Sequence, residues 1–138
     1  MKDIAKKLLM AGIACLPAKN KFPVLTSYRE FFSKMPSISI FENYEKKYNQ
    51  IALITGAISG NLIAIDFDNK LNNIDEIFTN YCKIPEVDAI LKSKKIYIEK
   101  TQSGGYHLIY RCETDIGKST KLARSLKFPE QDFDKDKN

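Results

Sequence analysis

No stretch of this 138-residue chain approaches the ~20 consecutive apolar residues that a membrane-spanning helix needs, so no membrane partner is expected. The opening residues, Met1-Lys2-Asp3-Ile4 and then Lys6-Lys7, lack the apolar core and cleavage site of a secretory leader. Cysteine is sparse. Cys15, Cys82 and Cys112 lie far apart, are odd in number and form no C-x-x-C pair. That pattern argues against a zinc site or a disulfide framework and points to a reduced, cytoplasmic protein. Histidine is scarcer still, His107 being the only one. Internal repeats, low-complexity tracts and long linkers are also missing.

What remains is ordinary globular composition. Hydrophobic residues make up 43% and charged residues 28% of the chain, values that exclude wholesale disorder. The length suits one domain with a real core. A net charge of +5 and a sequence pI of about 9.0 permit a nucleic-acid partner without establishing one, since many lysine-rich surfaces are simply solvated.

Ile4, Leu8, Leu9 and Ala11 recur at helical spacing, which predicts an amphipathic helix over 3–11 ending at Gly12. Ile13–Leu16 reads as a brief strand stopped by Pro17, and 17–24 as a loop. Residues 26–34 and 38–48 look helical, the second with Ser37 as N-cap. Ile51–Thr55 and Leu62–Phe67 read as an antiparallel hairpin around Gly56–Asn61. Asn72 or Asn73 caps a helix to about Cys82, Pro85 interrupts, and Glu86–Leu91 is a second helix. Lys95–Lys100 and Tyr106–Arg111 alternate as strands around the turn Thr101–Gly105. A helix over 118–127 carries Lys118, Lys121, Arg124 and Lys127. With Arg111 these cations form a solvated face or a contact for nucleic-acid phosphates. The mixture of helices, hairpins and crossovers predicts an α+β domain over residues 1–128 with a largely antiparallel sheet, followed by a polar tail at 129–138.

Asp66 and Asp68 close the run Leu62-Ile63-Ala64-Ile65-Asp66-Phe67-Asp68. The period of two along a strand sends both carboxylates to one face and Ile63, Ile65 and Phe67 to the other. So apolar a run reads as a buried central strand. Two neighbouring carboxylates repel one another, and a divalent cation such as Mg²⁺ relieves that repulsion while keeping positions open for phosphates. The alternative is a strand that has reached the surface, with both acids solvated.

The second candidate is Thr101-Gln102-Ser103-Gly104-Gly105-Tyr106-His107. Gly104-Gly105 allows a sharp turn or a close approach to a ligand. His107 alternates with Ile109 and can share a face with a neighbouring strand's acids, where an imidazole can donate to a phosphate oxygen. Ser103 adds a hydroxyl, and free backbone N–H groups there can form an anion-binding concavity. The plainer alternative is a hairpin with a half-buried histidine making one hydrogen bond.

Taken together, these segments resemble the primase–polymerase domain of bifunctional DNA primase/polymerases from plasmids, phages and mobile elements, within the archaeo-eukaryotic primase superfamily. The resemblance lies in Ile54-Thr55-Gly56, Ser59-Gly60-Asn61-Leu62, Ile65-Asp66-Phe67-Asp68 and Thr101 through Arg111. Gly12, Ile13, Pro17, Lys21 and Pro23 are similar to the family's opening segment, so the likeness spans about 3–126. It implies an archaeo-eukaryotic primase-like fold, with an N-terminal α/β unit and an RRM-like, mainly antiparallel sheet. It further implies that Asp66 and Asp68 hold Mg²⁺ or Mn²⁺. His107, with Ser103, Gly104 and Gly105 beside it, would meet the incoming nucleotide's phosphates.

The implied partners are a DNA template and primer, a dNTP or NTP, and a replicative helicase module. The implied activity is template-directed nucleotidyl transfer in DNA replication. The chain departs from the family in its third metal-binding acid, which belongs on a strand beyond the histidine motif. Asp132 and Asp134 are the nearby acids, without a strand-like run around them. The domain therefore reads as C-terminally incomplete, weak or inactive by itself, with an exposed sheet edge. Two other readings stay open: a non-catalytic remnant that binds nucleotide or DNA, and a metal-dependent nuclease.

Overall fold

The computed structural model describes residues 1–93, 95–119 and 122. Two three-stranded sheets carry the fold, and every strand pairing in them is antiparallel. Helix α1 (Lys2–Met10) opens the chain. It ends as its sequence predicts. Gly12 takes φ +76°, its N–H donates to Leu9 O, and the Ile13 N–H donates to Leu8 O. This Schellman arrangement satisfies the Leu8 and Leu9 carbonyls and turns the chain into the first sheet.

That sheet has the order β2-β1-β3, built from β1 (Cys15–Lys19), β2 (Phe22–Pro23) and β3 (Gln50–Leu53). The expected stop at Pro17 does not occur, and the expected loop at 17–24 is instead a hairpin. Asn20 and Lys21 both take positive φ, 53° and 70°, between the paired residues Lys19 and Phe22, the signature of a two-residue turn. Pro17 is tolerated in the middle strand because of where its missing donor falls. Its carbonyl accepts from the Val24 N–H on the β2 side. In a strand, the N–H and C=O of one residue point the same way, so the absent N–H leaves the four-residue register with β3 intact.

Ala5, Cys15 and Phe41 are fully buried together, with Leu8, Leu9, Ile38, Tyr48 and Ile51 packed around them. The helices expected over 26–34 and 38–48 shorten to a 3₁₀ turn at Arg29–Phe32 and to α2 (Ser39–Asn43). Lys46 at φ +69° breaks the second, yet Ile38, Phe41 and Tyr48 still face the same core. The Ser37 hydroxyl accepts from the Ser39 N–H, but the capping position itself falls on Ile38.

The second sheet has the order β4-β6-β5, with β4 (Leu62–Phe67), β5 (Tyr97–Lys100) and β6 (Tyr106–Arg111). The hairpin expected between 51–55 and 62–67 is not formed. Those two strands belong to different sheets, with the isolated bridge Gly56↔Leu62 between them. Each has a longer partner elsewhere: β3 pairs with β1 over four residues, and β4 with β6 over six. Nor is β4 the central strand. Among the described residues β6 lies between β4 and β5, and Ala64 and Asp66 are exposed.

The far face of this sheet is covered. Helices α3 (Ile74–Cys82) and α4 (Pro85–Lys92) follow β4, with Asn73 at the N-cap of α3 and Pro85 at the first turn of α4. Phe67 packs edge-on against Phe78 and Tyr81, and Phe78 stacks on Tyr106 at 4.0 Å between centroids. Such aromatic contacts hold α3 to β4 and β6. Leu108, at the middle of β6, is 1% exposed.

The two sheets are tied by polar contacts. The Ser59 hydroxyl accepts from the Ala14 N–H at 2.8 Å and donates to Ile54 O. Arg111 donates through Nε to Ser59 O and through Nη2 to Ala11 O, at 3.2 and 2.7 Å. Of the helix expected over 118–127, only Lys118, Ser119 and Leu122 are described. Lys121, Arg124, Lys127, the tail 129–138, Asp132 and Asp134 lie outside the described residues.

Candidate functional site

Antiparallel register places Asp66 opposite His107, and His107 opposite Glu99. Three side chains from three adjacent strands thus form one row across the face that the helices leave open. His107 Nε2 lies 3.2 Å from Asp66 Oδ1, and His107 Nδ1 lies 2.8 Å from Glu99 Oε1. The next row on this face is Ala64, Ile109 and Tyr97. The ionic row is open to solvent: the side chains of Asp66, Glu99 and His107 are 56, 41 and 32% exposed.

Asp68 follows β4 directly and pairs loosely with Lys70, at 3.6 Å. Its charge is felt by its neighbour. Desolvation first, and then the Asp68 carboxylate, raise the Asp66 carboxyl above its ordinary value, while His107 pulls it back. The second of these causes is the repulsion between like charges that the strand's periodicity predicts.

The loop of Thr101–Gly105 is closed on itself. The Thr101 N–H donates to Gly105 O, the Gly104 N–H to Thr101 O, and the Gly105 N–H to Thr101 Oγ1. The Gly104 and Gly105 N–H groups are therefore engaged within the turn, one of the two uses expected of this pair. The Ser103 hydroxyl pairs with Thr101 Oγ1 at 3.2 Å, and the Ser103 carbonyl accepts from Asn69 Nδ2. These contacts tie Ser103 to its own loop and to the segment after Asp68 rather than to His107. The structure thus brings Asp66, Asp68 and His107 together and places Ser103, Gly104 and Gly105 in the turn that joins β5 to β6.

Glu99 is the member that sequence reasoning passed over. The signal was present. With Thr101–Gly105 as the turn, Lys100 pairs with Tyr106, and counting back one residue pairs Glu99 with His107.

Two carboxylates on an exposed sheet face are hard oxygen donors of the kind Mg²⁺ and Mn²⁺ accept. Mg²⁺ commonly takes one or two carboxylates and completes its shell with phosphates and water. Asp66 and Asp68 fit that role. His107 does not extend the set, because both its nitrogens face carboxylates. Among the described residues, no three or more histidine, cysteine, aspartate or glutamate side chains gather as a metal-holding group. Also among them, no helix is long and apolar enough to cross a membrane.

Neither a protein-family model nor a curated protein matches the chain.

Proposed function

We propose that the open face of the β4-β6-β5 sheet binds a nucleoside triphosphate together with Mg²⁺ or Mn²⁺, and that it is the nucleotidyl-transfer face of a DNA primase–polymerase-like domain. The reading is carried by the 3.2 Å approach of His107 Nε2 to Asp66 on a solvent-open face, with Asp68 alongside. A cation, when bound, supplies charge neutralisation for the triphosphate and polarises its phosphoryl oxygens. The residues of the chain do the rest. Asp66 and Asp68 hold that charge in place. His107 offers an N–H to a phosphate oxygen as negative charge develops there.

The ionic row also sets a condition. Asp66, Asp68 and Glu99 outnumber the single imidazole, so a bare triphosphate is repelled and nucleotide binding depends on the divalent cation. Template and primer DNA, and a helicase module in the same replication system, are the partners this reading carries with it.

The test is template-dependent primer extension with Mg²⁺ or Mn²⁺, comparing wild type with Asp66→Ala. Incorporation by the wild type alone supports the reading, and equal incorporation by both removes the metal assignment. A second reading, nucleotide or DNA binding without transfer, is favoured by one observation. The only acid that the third strand brings to this row, Glu99, is spent on the imidazole. Cation-dependent nucleotide binding with no incorporation selects this second reading.

A further inference from the structure

We propose that the outer edge of β5 is a self-association edge: two copies of this chain pair their β5 strands antiparallel about a two-fold axis at Tyr97, joining their β4-β6-β5 sheets into one. Among the described residues β5 is paired on one side only, with β6. The Thr101 N–H donates to Gly105 O, so Thr101 turns its backbone groups toward β6. Backbone groups alternate in direction along an antiparallel strand. Glu99 and Tyr97 therefore also face β6, while Ile98 and Lys100 turn their N–H and C=O outward. The side chains along this open edge are large and apolar, Tyr97 and Ile98 being 62 and 44% exposed. An uncovered edge of this kind is a template for another strand. Its own lysine guards it poorly, because Lys100 is drawn to Asp75 at 3.6 Å and over the Tyr106 ring.

Charge selects both the partner and the register. Alternation in the sequence carries the strand back to Lys95, yet β5 begins at Tyr97. Continuing the register beyond Tyr97↔Ile109 would oppose Lys95 to Arg111, two like charges, and pairing stops short of them. A second copy supplies the opposite. With Tyr97 facing Tyr97 across the axis, Lys95 of each copy faces Glu99 of the other, and Ile96 faces Ile98. The two ion pairs then fall on the open face, and the two isoleucine pairs on the face that the helices cover. Glu99 is able to take the lysine, since it meets His107 through Oε1 and keeps Oε2. Among the described residues, exposed Lys95 has no carboxylate partner in its own copy. A register centred on Ile98 sets Ile96 against Lys100 and Tyr97 against Glu99, and makes no ion pair.

The pairing also carries a residue into the ionic row. Lys95 of the second copy extends the row of Asp66, His107 and Glu99 by one cation. Its use there rests on the nucleotide-binding reading, whereas the interface itself does not. The contact is isologous and small, so the dimer is weak and depends on concentration.

The experiment is sedimentation velocity on the full chain from about 10 μM to about 1 mM, the range over which so small an interface fills. Amide hydrogen exchange is read at both ends. Wild type is expected to pass from monomer to dimer, with the Ile98 and Lys100 amides gaining protection at the higher concentration. Lys95→Glu opposes like charges at both ion pairs and should weaken association by about tenfold or more, as should Glu99→Lys. An equimolar mixture of those two variants should associate again, because each copy supplies the charge that the other lacks. Tyr97→Cys sets the new thiols directly across the axis, within disulfide reach, and Ile98→Cys sets them out of reach. Under mild oxidation the first is expected to form linked dimers above the wild-type background, and the second is not.

A wild type that stays monomeric to the top of the range overturns the proposal whatever the variants do. Protection of the Ile98 and Lys100 amides that is independent of concentration also overturns it, since the chain then covers this edge by itself. So does a dimer indifferent to Lys95→Glu, a mixture of folded variants that stays monomeric, or linkage through Ile98→Cys in place of Tyr97→Cys. Should Glu99→Lys fail to fold, Lys95→Glu and the two cross-links decide.

Discussion

A Cβ added to Gly105 would lie 2.2 Å from the carbonyl oxygen of Phe67. The loop joining β5 to β6 thus rests its backbone directly on the end of β4, one residue short of Asp68. A side chain there must push the two strands apart, since the obstacle is backbone and has no rotamer to change. Gly105→Ala is expected to destabilise the fold by about 1–3 kcal/mol, the usual cost of overpacking. Urea unfolding measures the loss. Because the displaced strand end carries Asp66 and Asp68, cation binding at 25 °C should weaken in the fraction that stays folded. Unchanged stability would mean that this close approach does not hold in solution.

The junction between the sheets makes a second prediction. Ser59 is fully buried, and its hydroxyl satisfies both the Ala14 N–H and the Ile54 carbonyl. Ser59→Ala removes both partners at once. Each unsatisfied buried backbone group costs about 1–3 kcal/mol, so the variant should lose about 2–4 kcal/mol in denaturant unfolding. Arg111→Met keeps most of the stem's packing but gives up the bonds to Ser59 O and Ala11 O. It should lose less, about 1–3 kcal/mol, because its position is more exposed and water replaces part of the bonding.

The cysteines offer a check on the first core. Cys15 is fully buried, and burial pushes its thiol up to about 11. Cys82 and Cys112 are half-buried. A thiol reagent should label those two in the native protein and reach Cys15 only on unfolding, since reactivity follows thiolate content and access. Rapid labelling of Cys15 under native conditions would contradict the packing of α1 and α2 over β1.

What the sequence disclosed follows the range of the interactions involved. Strands β4 and β6 lie where alternation puts them, and α1 carries its stop signal in Gly12, because those features are set within a few residues. The faces of β4 were legible too: Asp66 on one side, and Ile63, Ile65 and Phe67 on the other. Pairing was not. The segments 51–55 and 62–67 look like a hairpin by proximity, yet each finds a longer partner far along the chain, β1 or β6. Pro17 misled in the same way. A proline ends a strand only when its missing donor is needed, and here the donor side faces the short β2 ribbon. Glu99 went unnoticed because its importance lies in cross-strand register. Of the two uses expected of Gly104-Gly105, the structure shows the sharp turn, with both N–H groups bonded to Thr101.

Asp66 allows the sharpest test, because its charge is unfavourable to the fold and useful to a ligand. Desolvation and Asp68 raise its carboxyl above the ordinary value of about 3.9, with only partial relief from His107. A carboxyl with a raised folded pKa contributes stability that is fully present below its unfolded value. That stability is lost as pH climbs through the folded one. At pH 7 the ionised group therefore carries a cost. Asp66→Asn removes it and should melt slightly above wild type, by no more than about 0.5 kcal/mol because the side chain is 56% exposed. The advantage should shrink on acidification through the raised value of the folded carboxyl, as the wild-type group becomes neutral as well. Mg²⁺ should act in the opposite sense. It should raise the melting temperature of wild type through binding to the folded state and leave Asp66→Asn nearly unmoved. Thermal melts at pH 4 and 7, with and without the cation, give all four comparisons. A wild type indifferent to Mg²⁺ and Mn²⁺ across that set would leave Asp66 and Asp68 as two solvated acids on a sheet edge.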